Sequence, residues 1–85
     1  MSHHVYILRC ADNSLYTGYT TNLARRLDVH NSGKGAKYTR SRLPVRLVYY
    51  EEVSTRSEGL KLERSIKKLT KEKKEDLVAG FDLGK

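Results

Sequence analysis

Five side chains in this sequence have the chemistry to act together on a phosphate ester: Tyr6, Tyr16, Arg26, His30 and Glu63. Hydrolysing a phosphodiester needs a water that gives up a proton, charge stabilisation on the phosphoryl oxygens and help for the leaving oxygen. Tyrosine, histidine and glutamate can hold or move a proton, and arginine can bond two phosphate oxygens at once. Tyr6 and Tyr16 lie ten residues apart, and Arg26 follows ten later. Each residue also has an ordinary explanation. Tyrosines pack in strands, and a helix arginine is usually solvated. His30 suits the dipole at a helix C-terminus. Glu63 can pair with Lys67 at i,i+4, worth only about 0.2–0.5 kcal/mol.

The elements that must position these groups follow from the chain. Residues 5–9 are an apolar run rich in β-formers, 15–20 are another, and Ala11-Asp12-Asn13-Ser14 between them reads as a hairpin turn. An odd-numbered loop puts Tyr6 and Tyr16 on one face of the sheet, because side chains alternate with period two. A two-residue loop would separate them; the odd loop is expected. Within 16–30, YTGYTTNLARRLDVH, the strand gives way to a helix over 22–31, capped by Thr21 and ended by Asn31-Ser32-Gly33. Leu23, Leu27 and His30 share one side of that helix, and Arg26 lies one turn before His30. The leucines can thus anchor the helix while Arg26 and His30 project along the flank of the contact.

Residues 31–44, NSGKGAKYTRSRLP, carry the cations Lys34, Lys37, Arg40 and Arg42 and no hydrophobic period. That composition predicts a long loop, either functional or disordered. Residues 46–53 read as a third strand, with Leu47 and Tyr49 on one face and Val48 and Tyr50 on the other. Thr55 and Glu58 have capping-box spacing for a second helix to about residue 69, with Leu62, Ile66 and Leu69 on one stripe and Glu63 beside it. Thr70 can cap a third helix over 71–79, closed by Gly80, and 81–85 are expected to be a loosely held tail. The order is ββαβαα: an α/β fold (α+β, sandwich-like) with a three-stranded, mostly antiparallel sheet flanked by helices.

Eighty-five residues suit one domain over 1–85 with a single small core. Hydrophobic content of 38% against 32% charged residues fits a globular chain rather than a disordered one. A net charge of +7 points to a polyanion. Nucleic acid is the commonest one, although an anionic membrane surface or an acidic protein also accounts for the charge. No apolar run is long enough to span a bilayer, and the start MSHHVYILRC lacks the features of a secretory signal. A cytoplasmic location is expected, at the nucleoid if DNA is the partner. The single cysteine, Cys10, has no disulfide partner, and no other cysteine can join His3, His4 and His30 in a zinc site. A packed thiol at the end of a strand is expected.

Taken in order, His4-Val5-Tyr6, Tyr16-Thr17-Gly18, Arg26, His30 and Glu63 resemble the GIY-YIG nuclease domain over about residues 4–78. The two tripeptides stand at the family's two signatures. The chain is most similar to the small stand-alone bacterial members, and NSGKGAKYTR is similar to part of the catalytic subunit of a eukaryotic structure-specific endonuclease. Three features depart from the pattern. The first signature lacks its glycine and has Val5 for isoleucine, Tyr19 stands where some members carry lysine, and no asparagine follows Asn31.

The resemblance implies a metal-dependent DNA endonuclease, structure-directed and of low sequence specificity, in repair or recombination, with RNA as the open alternative. It implies one divalent cation, Mg²⁺ or Mn²⁺, held by Glu63 and waters. Arg26 would bond the scissile phosphate, and Tyr6 would take the proton of the attacking water, its phenol made more acidic by nearby cations. Tyr16 would position the water or the phosphate, and His30 would act as a second base or a phosphate ligand. Gly18 would keep the backbone close beneath the site, or simply mark a bulge. Lys34, Lys37, Arg40 and Arg42 are the expected nucleic-acid contacts, a solvated loop being their ordinary alternative. Two other readings stand beside the enzyme: a binding module with little catalysis, and a subunit that cuts only with a protein partner supplying specificity.

Overall fold

The structure, a computed structural model, describes residues 2–81. Its elements are β1 (His3–Arg9), β2 (Leu15–Thr20), α1 (Leu23–Asn31), α2 (Lys37–Arg40), β3 (Arg46–Val53), α3 (Arg56–Lys67) and α4 (Lys71–Ala79). The expected ββαβαα order is present, with the one-turn helix α2 as an addition. The sheet is antiparallel throughout, in the order β2-β1-β3. Among the described residues no helix is long and apolar enough to cross a membrane.

The turn between β1 and β2 sets the register of the hairpin. Asp12 accepts from the Ser14 N–H at 3.0 Å, Asn13 takes a φ of 70° that asparagine tolerates, and the Cys10 N–H donates to Ser14 O at 2.9 Å. The loop of residues 10–14 is odd, so Leu8 faces Tyr16 and Tyr6 faces Gly18. Tyr6 and Tyr16 therefore share a face, as expected.

Alternation along β1 feeds two cores. Tyr6, Leu8 and Cys10 pack with Val45, Leu43 and Leu47 and with Leu23 and Leu27 of α1. Val5 and Ile7 face the other way, against Leu62 and Ile66 of α3, Leu77 and Val78 of α4, and Val48 and Tyr49. With both faces covered, Val5–Leu8 are buried without interruption. Cys10 is the buried thiol anticipated.

β3 corrects the simple alternation. Ile7 pairs with Tyr49 but Leu8 pairs with Leu47, which leaves Val48 as the extra residue of a bulge. Leu47 consequently joins the Tyr6–Leu8 core, while Val48 and Tyr49 both join the Val5–Ile7 core. Leu47 and Tyr49 do not share a face.

The helix termini follow local chemistry. α1 is capped by Asn22, whose side chain accepts from the Arg25 N–H at 3.1 Å. Thr21, the expected cap, sits one residue too early for that reach. The Thr55 hydroxyl accepts from the Glu58 N–H at 3.1 Å, completing the anticipated start of α3, which ends at Lys67. Thr70 caps α4, and Gly80 follows it. Arg9 fastens α4 to β1 through two bonds to Glu75, at 2.6 and 2.7 Å. Phe81, first residue of the expected loose tail, packs on Tyr49 and Tyr50 at centroid distances of 5.2 and 5.1 Å. The remainder of that tail lies outside the described residues.

The segment 31–44 is the largest departure from expectation, because it is built against the body rather than forming a structureless loop. Asn31 Nδ2 donates to Val45 O at 3.0 Å, and its Oδ1 accepts from the Val45 N–H at 2.8 Å. The single turn α2 forms where the Thr39 and Arg40 N–H groups both donate to Ala36 O, at 3.1 and 3.2 Å. One turn is too short to show a hydrophobic period and too short to stand without tertiary contacts. Those contacts exist: the Tyr38 ring stacks on Tyr16 with centroids 6.0 Å apart.

Candidate active site

Tyr6, Tyr16, Arg26, His30 and Glu63 line one cleft of about 360 Å³, which Gly18, Tyr19, Lys34, Gly35 and Ala36 complete. The cleft lies at β2, an edge strand, where the two helical layers meet. α1 supplies Arg26 and His30 from one face, and α3 supplies Glu63 from the other. Gly18 permits the approach of Tyr6, since a Cβ there would overlap the Tyr6 phenol. Five residues separated by more than half the chain are thus brought together.

The floor of the cleft is polar and almost dry. Tyr6 is 3% exposed and His30 1%. Tyr6 Oη lies 3.0 Å from His30 Nε2, and His30 Nδ1 lies 2.9 Å from the Thr39 hydroxyl. The Tyr16 ring packs edge-on to His30 at 5.4 Å and tilted against Tyr6 at 6.5 Å. Burial, followed by the Arg26 charge, holds the His30 imidazole below its ordinary value, which favours the neutral ring.

Tyr6 corrects an expectation. Its phenol is pushed well above the ordinary tyrosine value, first by burial, then by Tyr16 and Glu63, with only Arg26 acting in the opposite direction. The neighbouring cation does not make it more acidic, because loss of water outweighs one guanidinium at the rim.

The charged groups sit at the rim. Arg26 is exposed and has no ion-pair partner among the described residues. The Glu63 side chain is 19% exposed, with Lys67 Nζ 3.3 Å from its carboxylate, so the i,i+4 pair exists alongside the cleft position. Of the four cations expected on nucleic acid, only Lys34 lines the cleft. Lys37 and Arg40 are exposed on α2. Arg42 is already engaged: its Nε donates to Asp12 at 2.9 Å, another N–H donates to Tyr38 O at 2.7 Å, and its guanidinium covers the Tyr38 ring.

Two residues of the site carried no signal in the sequence. Thr39 is inconspicuous in a cationic stretch, yet it is fully buried beside His30. Gly35 reads as a turn residue, but a Cβ there would overlap His30 Nδ1. A buried histidine needing two partners was the only available hint.

The donor set can be tested against a metal. Among the described residues no three His, Cys, Asp or Glu side chains gather closely enough to enclose an ion. A site of the zinc type, with four protein ligands, does not fit. One carboxylate at the edge of an open, polar cleft does fit a hydrated Mg²⁺, which keeps several waters and accepts one or two carboxylates with substrate oxygens.

A family model for the GIY-YIG catalytic domain matches residues 2–76. A UPF0213 protein of Haloquadratum walsbyi is 57% identical over 76 residues, covering 89% of this chain and 85% of that protein. A UPF0213 protein of Staphylococcus haemolyticus is 53% identical, covering 89% and 93%. Two solution NMR structures share the fold. A UPF0213 protein from Bacillus halodurans is 52% identical with a TM-score of 0.60, covering 93% of this chain and 84% of that one. A protein from E. faecalis is 48% identical with a TM-score of 0.64, covering 100% and 91%. Agreement over this length, on a hairpin that places a tyrosine on each strand, makes the chain a member of the GIY-YIG catalytic domain family.

Proposed function

We propose that the chain is a metal-dependent endonuclease that hydrolyses phosphodiester bonds in DNA, guided by the shape of the substrate more than by its sequence. One observation carries this reading: a single carboxylate, a guanidinium with no ion-pair partner among the described residues and a buried Tyr–His pair line the same cleft. Arg26 bonds the non-bridging oxygens of the scissile phosphate, where its planar fork can meet two at once. Tyr6 receives the proton of the attacking water, Tyr16 orients that water, and His30 supports Tyr6 from beneath. Glu63 is the residue that would hold Mg²⁺, releasing Lys67 as it does so. The ion would supply charge to the phosphoryl oxygens and the leaving oxygen. Lys34 at the rim, with Lys37 and Arg40 beyond it, attracts the backbone without reading bases.

The Glu63–Lys67 ion pair favours a second reading, in which the carboxylate is spent on a salt bridge and the fold only binds. The two separate cleanly. Purified protein with Mg²⁺ should nick plasmid DNA, and Glu63→Ala should slow nicking by about 10²–10³-fold. Equal traces of activity in wild type and Glu63→Ala, with binding indifferent to Mg²⁺, would establish the binding module instead.

A further inference from the structure

Thr39 has no part in the mechanism above, yet its hydroxyl is buried and bonded on two sides. A hydroxyl has one hydrogen, with two acceptors in reach: His30 Nδ1, if that nitrogen is bare, and the Ala36 carbonyl 2.9 Å away, which can only accept; the hydrogen is assigned to the carbonyl. The Thr39 oxygen must then accept from His30 Nδ1, 2.9 Å away. This fixes the ring proton on Nδ1 and leaves Nε2 of the neutral ring as a bare acceptor. The group 3.0 Å from Nε2 is the Tyr6 hydroxyl, which must donate to it. Gly35 closes the other side, since any side chain there would meet Nδ1. The four groups form one directed chain of hydrogen bonds from the cleft to the Ala36 carbonyl.

We infer that Thr39 is a positioning residue that sets the tautomer of His30, so that Tyr6 and His30 act as a single base. The inference rests on the nuclease reading. In the step, an O–H bond of the attacking water breaks and its proton passes to Tyr6 Oη, while the Tyr6 proton passes to His30 Nε2. The water oxygen forms its bond to phosphorus as the bond from phosphorus to the leaving oxygen breaks, and solvent protonates that oxygen. The imidazolium, still bonded to Thr39 through Nδ1–H, returns its proton through Tyr6 to water. Neither partner suffices alone. Burial disfavours a Tyr6 phenolate, and His30 Nε2 is already occupied by the Tyr6 hydroxyl 3.0 Å away.

The test uses the full chain labelled with ¹⁵N, reading the two His30 ring nitrogens by long-range proton–nitrogen correlation. Wild type should show a protonated Nδ1 and a bare Nε2. Thr39→Val, which keeps shape but loses the hydroxyl, should move the ring toward the Nε2–H form and slow cutting by about 10- to 100-fold, the scale set by removing the outer partner of a metal-bound histidine. Thr39→Ser should restore both readouts. A ring unchanged in folded Thr39→Val, or one protonated on Nε2 in wild type, overturns the inference, and the wild-type readout decides even if Thr39→Val proves poorly folded. Cutting by a wild type with Nε2–H removes the shared base alone. An Nδ1–H ring in a protein that cuts nothing removes the nuclease reading and the shared base with it.

Discussion

Behind the α3–α4 face of the sheet, the fully enclosed side chains Val5 and Ile7 meet Ile66. Behind the α1–α2 face, the equally enclosed His30 and Thr39 are tied to Tyr6, a member of the same core as Leu8. An aliphatic core can repack around small changes in shape. Buried polar groups cannot, since each lost partner leaves an unsatisfied donor or acceptor away from water. Both faces hold the strands together, but the second also holds one arrangement of polar atoms. The contrast separates what stabilises this fold from what equips it.

The largest expected effects test that separation directly. Tyr6→Phe removes one oxygen from the polar face and should slow cutting by about 10²–10⁴-fold, the usual worth of a positioned proton acceptor. Its effect on stability should be about 1–3 kcal/mol, the cost of leaving the buried His30 Nε2 without its partner. Ile66→Ala should do the reverse, costing about 2–5 kcal/mol in urea unfolding while the folded fraction cuts at the wild-type rate. If both variants lost rate and stability in the same proportion, the two faces would not be specialised.

A smaller effect comes from pH. Tyr6 from β1 and Tyr16 from β2 face the His30 ring, with Arg26 on its own helix, and burial together with that arginine depresses its affinity for a proton. The unfolded chain binds the proton first, so His30 contributes stability that is fully present above about pH 6.5 and is lost as pH falls toward the folded-state value. The slope from one proton cannot exceed about 1.4 kcal/mol per pH unit. Urea midpoints from pH 7.5 to 5 should fall in wild type and flatten in His30→Gln. No flattening would mean that the ring takes its proton as readily in the folded protein as in the unfolded chain.

Much of this was legible in the sequence wherever the cause was local. Asp12 and Asn13 fix an odd turn, and with it the shared face of Tyr6 and Tyr16. Thr55 and Thr70 announce two helix starts, and Leu23 and Leu27 mark the anchored side of α1. Long-range causes left no trace. The bulge at Val48 hides in a run where every phase of alternation is apolar or aromatic. The turn at 37–40 is held by Tyr16 and His30, neither of them its neighbour in the chain. The acidity of Tyr6 differs from expectation because charges can be counted in a sequence, but the loss of water around a phenol cannot.

The smallest effect concerns Arg9 and Glu75, which join the aliphatic side at its rim. The geometry is bidentate, at 2.6 and 2.7 Å, yet the two side chains are 15% and 34% exposed. Water and salt can replace what the pair provides, and such pairs contribute about 0–1 kcal/mol. The bond from Arg9 holds the Glu75 carboxyl below its ordinary value. Its contribution is therefore present above the ordinary glutamate value of about 4.3 and disappears as pH falls through the lower folded value. Glu75→Gln should lower stability at pH 7 by less than about 1 kcal/mol, with the difference from wild type vanishing in acid and in high salt, and with no change in cutting. Thr39→Val makes the informative contrast, because it removes a weaker, uncharged bond from a place water cannot reach. Were the exposed ion pair to cost as much as that buried hydroxyl, access to water would not be what distinguishes the two sides of this sheet.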